Sequence, residues 1–95
     1  MATYDVLLTA SAPARMAMRI ANQPSVESTG PTTSLSASFT MNAAEPEDIA
    51  IFGNFDSAAG NSALRVEVRL AGRTLADSTF WGTGRVEDVV TIPKP

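Results

Sequence analysis

One run limits what this chain can fold into more than any other. In Leu64-Arg65-Val66-Glu67-Val68-Arg69-Leu70, apolar and charged residues alternate at every step. A helix would scatter these residues around its circumference, whereas a strand sorts them onto one dry face and one wet face. Leu64, Val66, Val68 and Leu70 are expected to point inward, and Arg65, Glu67 and Arg69 toward water. Ala71-Gly72 then supplies a turn whose glycine can take positive φ, and a run from Arg73 to Trp81 returns antiparallel. Gly82-Thr83-Gly84 turns the chain again, and a run from Arg85 to Ile92 is expected to complete a meander. Pro93 and Pro95, which cannot donate to a sheet ladder, end it.

The preceding residues follow the same rule. Thr3 to Thr9 is rich in β-branched and aromatic residues and reads as a first strand with Tyr4, Val6 and Leu8 on one face. Ala10 to Pro13 is expected to break it. From Ala12 to Ala21 two readings compete. Ala, Met and Arg favour a helix that Ser11 and Pro13 could open, while the alternation of Met16, Met18 and Ile20 with Arg15, Ala17 and Arg19 favours a strand. The strand is preferred because the other elements are extended. Ser25 to Thr33 reads as a loop with at most a short edge strand around Val26. Ser34 to Met41 alternates completely, with Leu35, Ala37, Phe39 and Met41 inward. After an acidic, proline-interrupted loop from Asn42 to Asp48, Ile49 to Phe55 carries apolar residues on both faces, as an interior strand would, and Gly53 marks a bulge or a close approach by another backbone. About seven strands at spacings of roughly 8 to 15 residues, parted by loops of Pro, Gly, Asn and Asp, predict one all-β domain: an Ig-like antiparallel β-sandwich over residues 1–95.

With 95 residues and no cysteine, packing alone must hold the fold, and no thiolate metal site can form. Seven Lys and Arg face ten Asp and Glu, and the cations are dispersed along the chain, which argues against nucleic acid as a partner. No apolar run approaches the roughly 20 residues that span a bilayer, so direct membrane insertion is not expected.

Candidate chemistry is sparse. Without histidine or cysteine, the commonest general base and nucleophile dyads are missing, and an enzyme would have to use carboxylates or serines. Glu45, Glu47 and Asp48 cluster in one loop and Glu87 with Asp88 in another, but loop carboxylates in an acidic chain are normally solvated, and no G-x-S-x-G turn is present. The expectation is therefore a non-enzyme without a cofactor. Asn54, Phe55, Asp56, Ser57, Gly60 and Asn61 offer oxygen ligands for calcium but lack the D-x-[DN]-x-[DN]-G order, so a plain turn is preferred and no metal is assigned. Phe80-Trp81 stands out instead. Neighbours on a strand point to opposite faces, so one of the two is a candidate anchor for a partner unless separate surfaces cover both. Arg65 and Arg69 on the wet face form a secondary candidate platform, although alternating charges also serve solubility and edge protection.

Read as Val66-x-Val68-x-x-x-Gly72-Arg73-x-Leu75-Ala76-x(5)-Gly82-x-Gly84-x-Val86, the C-terminal part resembles the periplasmic Ig-like domain of mycobacterial MmpS-type membrane accessory proteins. That resemblance implies a sandwich that follows a membrane helix and assists a lipid or drug exporter. Two functional expectations result. The first is a structural or protein-binding module acting through a protein partner or self-assembly, such as a phage capsid or tail decoration protein. The alternative is an exporter's accessory domain, cut from its anchor. The first would place the chain in a virion or the cytoplasm if Met1 is the native start, and the second in the periplasm or outside the cell.

Overall fold

The structure, a computed structural model, describes residues 2–20, 23–41, 46–55 and 61–93. It is all-β, with seven antiparallel strands: β1 (Ala2–Ile20), β2 (Val26–Glu27), β3 (Thr32–Met41), β4 (Glu47–Phe55), β5 (Ser62–Leu70), β6 (Arg73–Gly82) and β7 (Arg85–Ile92). The first half of β1 pairs with β3 on one side and β5 on the other, and β6 continues beyond β5. The second half of β1 pairs with β2 and β4, and β7 continues beyond β4. Two layers, β3-β1-β5-β6 and β2-β1-β4-β7, therefore share one long strand and enclose one core as a sandwich.

The shared strand corrects the break expected at Ala10 to Pro13. Inward alternation runs without interruption from Tyr4 to Ile20, and the residues where β1 changes layers are small: Ala10, Ala12 and Ala14. Pro13 sits in the irregular stretch between Thr9 and Ala14, where the register against β3 shifts, and among the described residues it has no ladder partner. Ser11 ties the corner to β5 by accepting the Ala63 N–H on its Oγ at 2.8 Å. Between the two readings of Ala12 to Ala21 the strand prevails: Met16, Met18 and Ile20 are buried and Arg15 and Arg19 exposed.

A second correction concerns the meander. β6 returns beside β5 as expected, but β7 pairs with β4 rather than β6, so the Gly82-Thr83-Gly84 turn carries the chain from one layer to the other. The crossing is fastened where the Phe55 N–H donates to the Gly84 carbonyl at 2.7 Å. β4 is the interior strand its double-faced pattern predicts. Gly53 makes no bulge. It faces the opposite layer, where a Cβ would lie 3.2 Å from Leu64 Cδ2, so the close approach is by a core side chain and not a backbone. Leu64, Val66 and Val68 are buried as the alternation requires, with Leu70 partly buried at the hairpin end.

Candidate interaction surface

Three of the four sequence-predicted surface residues share one face. On β5, Arg65 and Arg69 project from the outer side of the first layer, and Trp81 does so from β6, opposite Ala63. Phe80 points the other way and packs against the core. Of the two aromatic neighbours, then, Trp81 is the outward one, and 67% of it remains exposed. Its position is firm because the adjacent Phe80 is held by the core and the β5 ladder continues to Gly82.

The arginines are not open charges. Glu67 and Asp77 lie directly opposite each other across β5 and β6, an arrangement that would repel on its own. Arg65 relieves it, its Nε and Nη2 donating to Asp77 Oδ1 at 2.9 Å and Oδ2 at 2.7 Å, with Glu67 at 3.5 Å. Arg69 donates to the other Glu67 oxygen at 3.1 Å. The hydrogen bond from Arg65, helped by its charge, holds the Asp77 carboxyl below its ordinary value, and the same bond with the nearby acids raises Arg65 further above its own. The ion pairs hold these four side chains as a charge-balanced surface on the face that carries Trp81.

The outer face of the second layer has a different character. Ala17, Ala50, Phe52 and Val89 floor a shallow depression of about 450 Å³, bordered by Arg19 and Glu87. Val89 is 55% exposed, and the Arg85 guanidinium, also paired with Glu87, lies 5.1 Å from the centre of the Phe52 ring. Sequence reasoning registered the doubled apolar pattern of β4 but not this surface. Its remaining signal was the adjacent pair Val89-Val90, of which only one member can face the core.

Among the described residues of the two clusters, Asp48 and Glu87 stand apart. Asp48 stands opposite Thr91, whose hydroxyl donates to it at 2.7 Å, while Glu87 stands four residues away along β7, opposite Phe52, roughly 13 Å along a strand. Asp88 turns back to accept its neighbour Val89's N–H at 2.8 Å. Glu45 lies outside the described residues, as do Asp56, Ser57 and Gly60 of the calcium candidate. Phe55 of that group is buried, and Asn61 accepts a hydrogen bond from the Thr83 hydroxyl at 3.1 Å. Among the described residues, no group of three or more acidic side chains is placed to hold a metal ion.

No protein-family model, curated protein or solved structure matches this chain.

Proposed function

We propose that this chain is a non-enzymatic structural or protein-binding module, of the kind that decorates or helps assemble a larger particle such as a phage capsid or tail. The observation that carries this reading is Trp81. The chain's only tryptophan stands in water on a strand paired with β5, on the same face as charges that are already balanced. Leaving an indole exposed forgoes its burial energy within the fold, and an aromatic side chain with polar residues around it is how the centre of a protein interface is commonly built. The exporter-accessory reading rests on the sequence resemblance, and no feature of the outer faces favours it.

The test places a photoreactive tryptophan analogue, which keeps the indole, at position 81 of the full chain and irradiates it in extracts of the source, with adducts identified by mass spectrometry. A discrete, saturable protein adduct is expected, competed by the unmodified chain and poorly by Trp81→Ala. The alanine variant should bind that partner more weakly by about 2 kcal/mol or more. Absence of any saturable adduct at this position would defeat the reading.

A further inference from the structure

Among the described residues, four strands of this sandwich have an open edge, and three of them are blunted. β2 is only two residues long. β6 carries Arg73 and Asp77 and is bulged at Leu75, where its register against β5 shifts. β7 carries Arg85, Glu87 and Asp88, and Asp88 caps the Val89 N–H with its own carboxylate. Short length, bulges, charges and capped N–H groups all prevent another chain from adding to a sheet. β3 is neither short nor charged, and its one irregularity, the register shift against β1 together with the capped Ser34 N–H, lies at its first residues and leaves Leu35 to Met41 regular. Its ten residues, Thr-Thr-Ser-Leu-Ser-Ala-Ser-Phe-Thr-Met, include no charge, no proline and no glycine, and among the described residues its only ladder partner is β1.

The hydrogen bonds at its ends reveal which backbone groups face away from β1. The Ser34 N–H and carbonyl are both met, at 3.4 and 3.3 Å, by the hydroxyl of Thr32, and the Thr40 carbonyl accepts from Gln23 Nε2 at 3.1 Å. Ladder direction alternates along a strand, so the N–H and C=O of Ser36 and Ser38 point to the open side as well. Among the described residues, nothing meets them. On the inner face of the same segment, Leu35 and Ala37 are only partly buried, whereas Phe39 and Met41 further along are covered.

We infer that β3 is a self-association edge, at which a second copy of this chain adds antiparallel about a two-fold axis at Ser36. In that register Ser36 pairs with its own counterpart, and Ser34 pairs with Ser38 in both directions. Six main-chain hydrogen bonds form from groups that now face solvent or, at Ser34, a long hydroxyl contact. The inner face matches itself too. Leu35 of one copy meets Ala37 of the other, a large residue against a small one, and the absence of charge means that nothing repels. The other edges are blunted, so assembly stops at a closed dimer and does not grow into a fibre. The two-fold stands perpendicular to the sheet, and β3 and β6 lie at opposite edges of the first layer. The dimer therefore presents two Trp81 side chains on the same side, at the far ends of one eight-stranded sheet. This deepens the protein-binding reading, because a particle with repeated sites would be gripped by both ends at once.

The test is the solution mass of the full chain by sedimentation equilibrium from ~1 µM to ~1 mM, the range where a small edge-to-edge contact should dissociate. The mass should rise with concentration from 10.0 kDa toward twice that value. Ser36→Pro removes an outward N–H that β1 does not use and should weaken association at least tenfold. Ser36→Lys and Ser36→Glu, on a solvent-facing position, should each do the same by placing like charges opposite each other, and an equimolar mixture of the two should restore the dimer. Either charged variant serves if the proline variant does not fold. A wild-type chain that stays monomeric throughout, a dimer indifferent to all three variants, or a mixture that fails to reassociate would overturn the proposal. None of these outcomes depends on Trp81. A monomer that still gives the position-81 adduct would refute the dimer alone, and a dimer without an adduct would refute only the partner reading.

Discussion

Both ends of β6 are reached through glycine turns, but one turn makes a hairpin and the other a crossing. At Ala71-Gly72 the two central residues both have positive φ, 51° and 81°, the left-handed pair whose twist suits a two-residue hairpin, and β6 returns directly along β5. At Gly82-Thr83-Gly84 the last glycine also has positive φ, 77°, yet the following strand joins the opposite layer. The surroundings differ. Nothing lies within 4 Å of where a Cβ on Gly72 would sit, whereas a Cβ on Gly82 would stand 2.9 Å from the Arg85 carbonyl oxygen and 3.0 Å from Val86 Cγ2. The hairpin is thus decided by local backbone conformation, and the crossing by close packing of the chain onto itself.

The largest effect should come from the core beneath the hairpin. Val68 is fully buried and pairs with Ala76 just before the β6 bulge. Val68→Asp would leave an unpaired carboxylate in the core at a cost of several kcal/mol, comparable with the roughly 5 to 15 kcal/mol that holds a domain of this kind. Loss of cooperative thermal unfolding, followed by circular dichroism, is the expected result. A soluble variant that melts cooperatively would place the inward face of β5 on the other set of residues.

Next in size is a matched pair that separates the two kinds of turn. Gly82→Ala forces atoms against a backbone carbonyl and should cost about 1–3 kcal/mol. Gly72→Ala meets no atoms and should cost only the left-handed penalty of about 1–2 kcal/mol. Denaturant titrations give both values. The decisive sign lies in repair: Gly72→Asn, which tolerates the left-handed region, should recover much of the loss, whereas Gly82→Asn should be worse than alanine. Equal recovery at both positions would erase the distinction.

This contrast also marks how far the sequence could be read. The strands were legible because apolar residues fall on alternate positions, and β5 is the clearest case. The hairpin was legible because its turn chemistry is local. The crossing was not, since the oxygen that excludes a Cβ at Gly82 is brought there by the fold. In the same way Pro13 suggested a break, although Tyr4, Val6, Leu8, Ala10, Ala12, Ala14, Met16, Met18 and Ile20 keep one unbroken inward period through it. Proline is a strong local signal, and here it was outweighed by a periodicity that only a longer window displays. At the surface, adjacency showed that Phe80 and Trp81 must diverge, but which one faces water depends on register with β5. The open edge of β3 was equally hidden, because an edge is defined by which strands do not pair.

A smaller effect, of opposite sign, belongs to the hairpin turn itself. Ala71 holds φ of 51°, a conformation that alanine adopts at a cost and asparagine more readily. Ala71→Asn should stabilise the chain by about 0.5–1 kcal/mol, or several degrees in Tm for a domain of this size. Destabilisation would mean that the turn is not the left-handed pair on which the comparison rests.

The smallest effect tests whether the hairpin's charges matter beyond its turn. Arg65 bridges β5 to Asp77 on β6, and its hydrogen bond holds the Asp77 carboxyl below the ordinary value of 3.8. A carboxylate whose value is lowered by folding adds stability that is fully present above its unfolded value and is lost as the pH falls through the folded one. Arg65 remains charged throughout, so the aspartate is the group that titrates. Asp77→Asn should therefore lower Tm slightly at neutral pH, less than any substitution above, and the gap to the wild type should close as pH falls below about 4. Added salt should narrow it at neutral pH too, because both partners are exposed. A gap that widens in acid would show that Asp77 serves the fold as a protonated donor and not as the acceptor from Arg65, and the ladder along this face would then have to be redrawn from the β6 side.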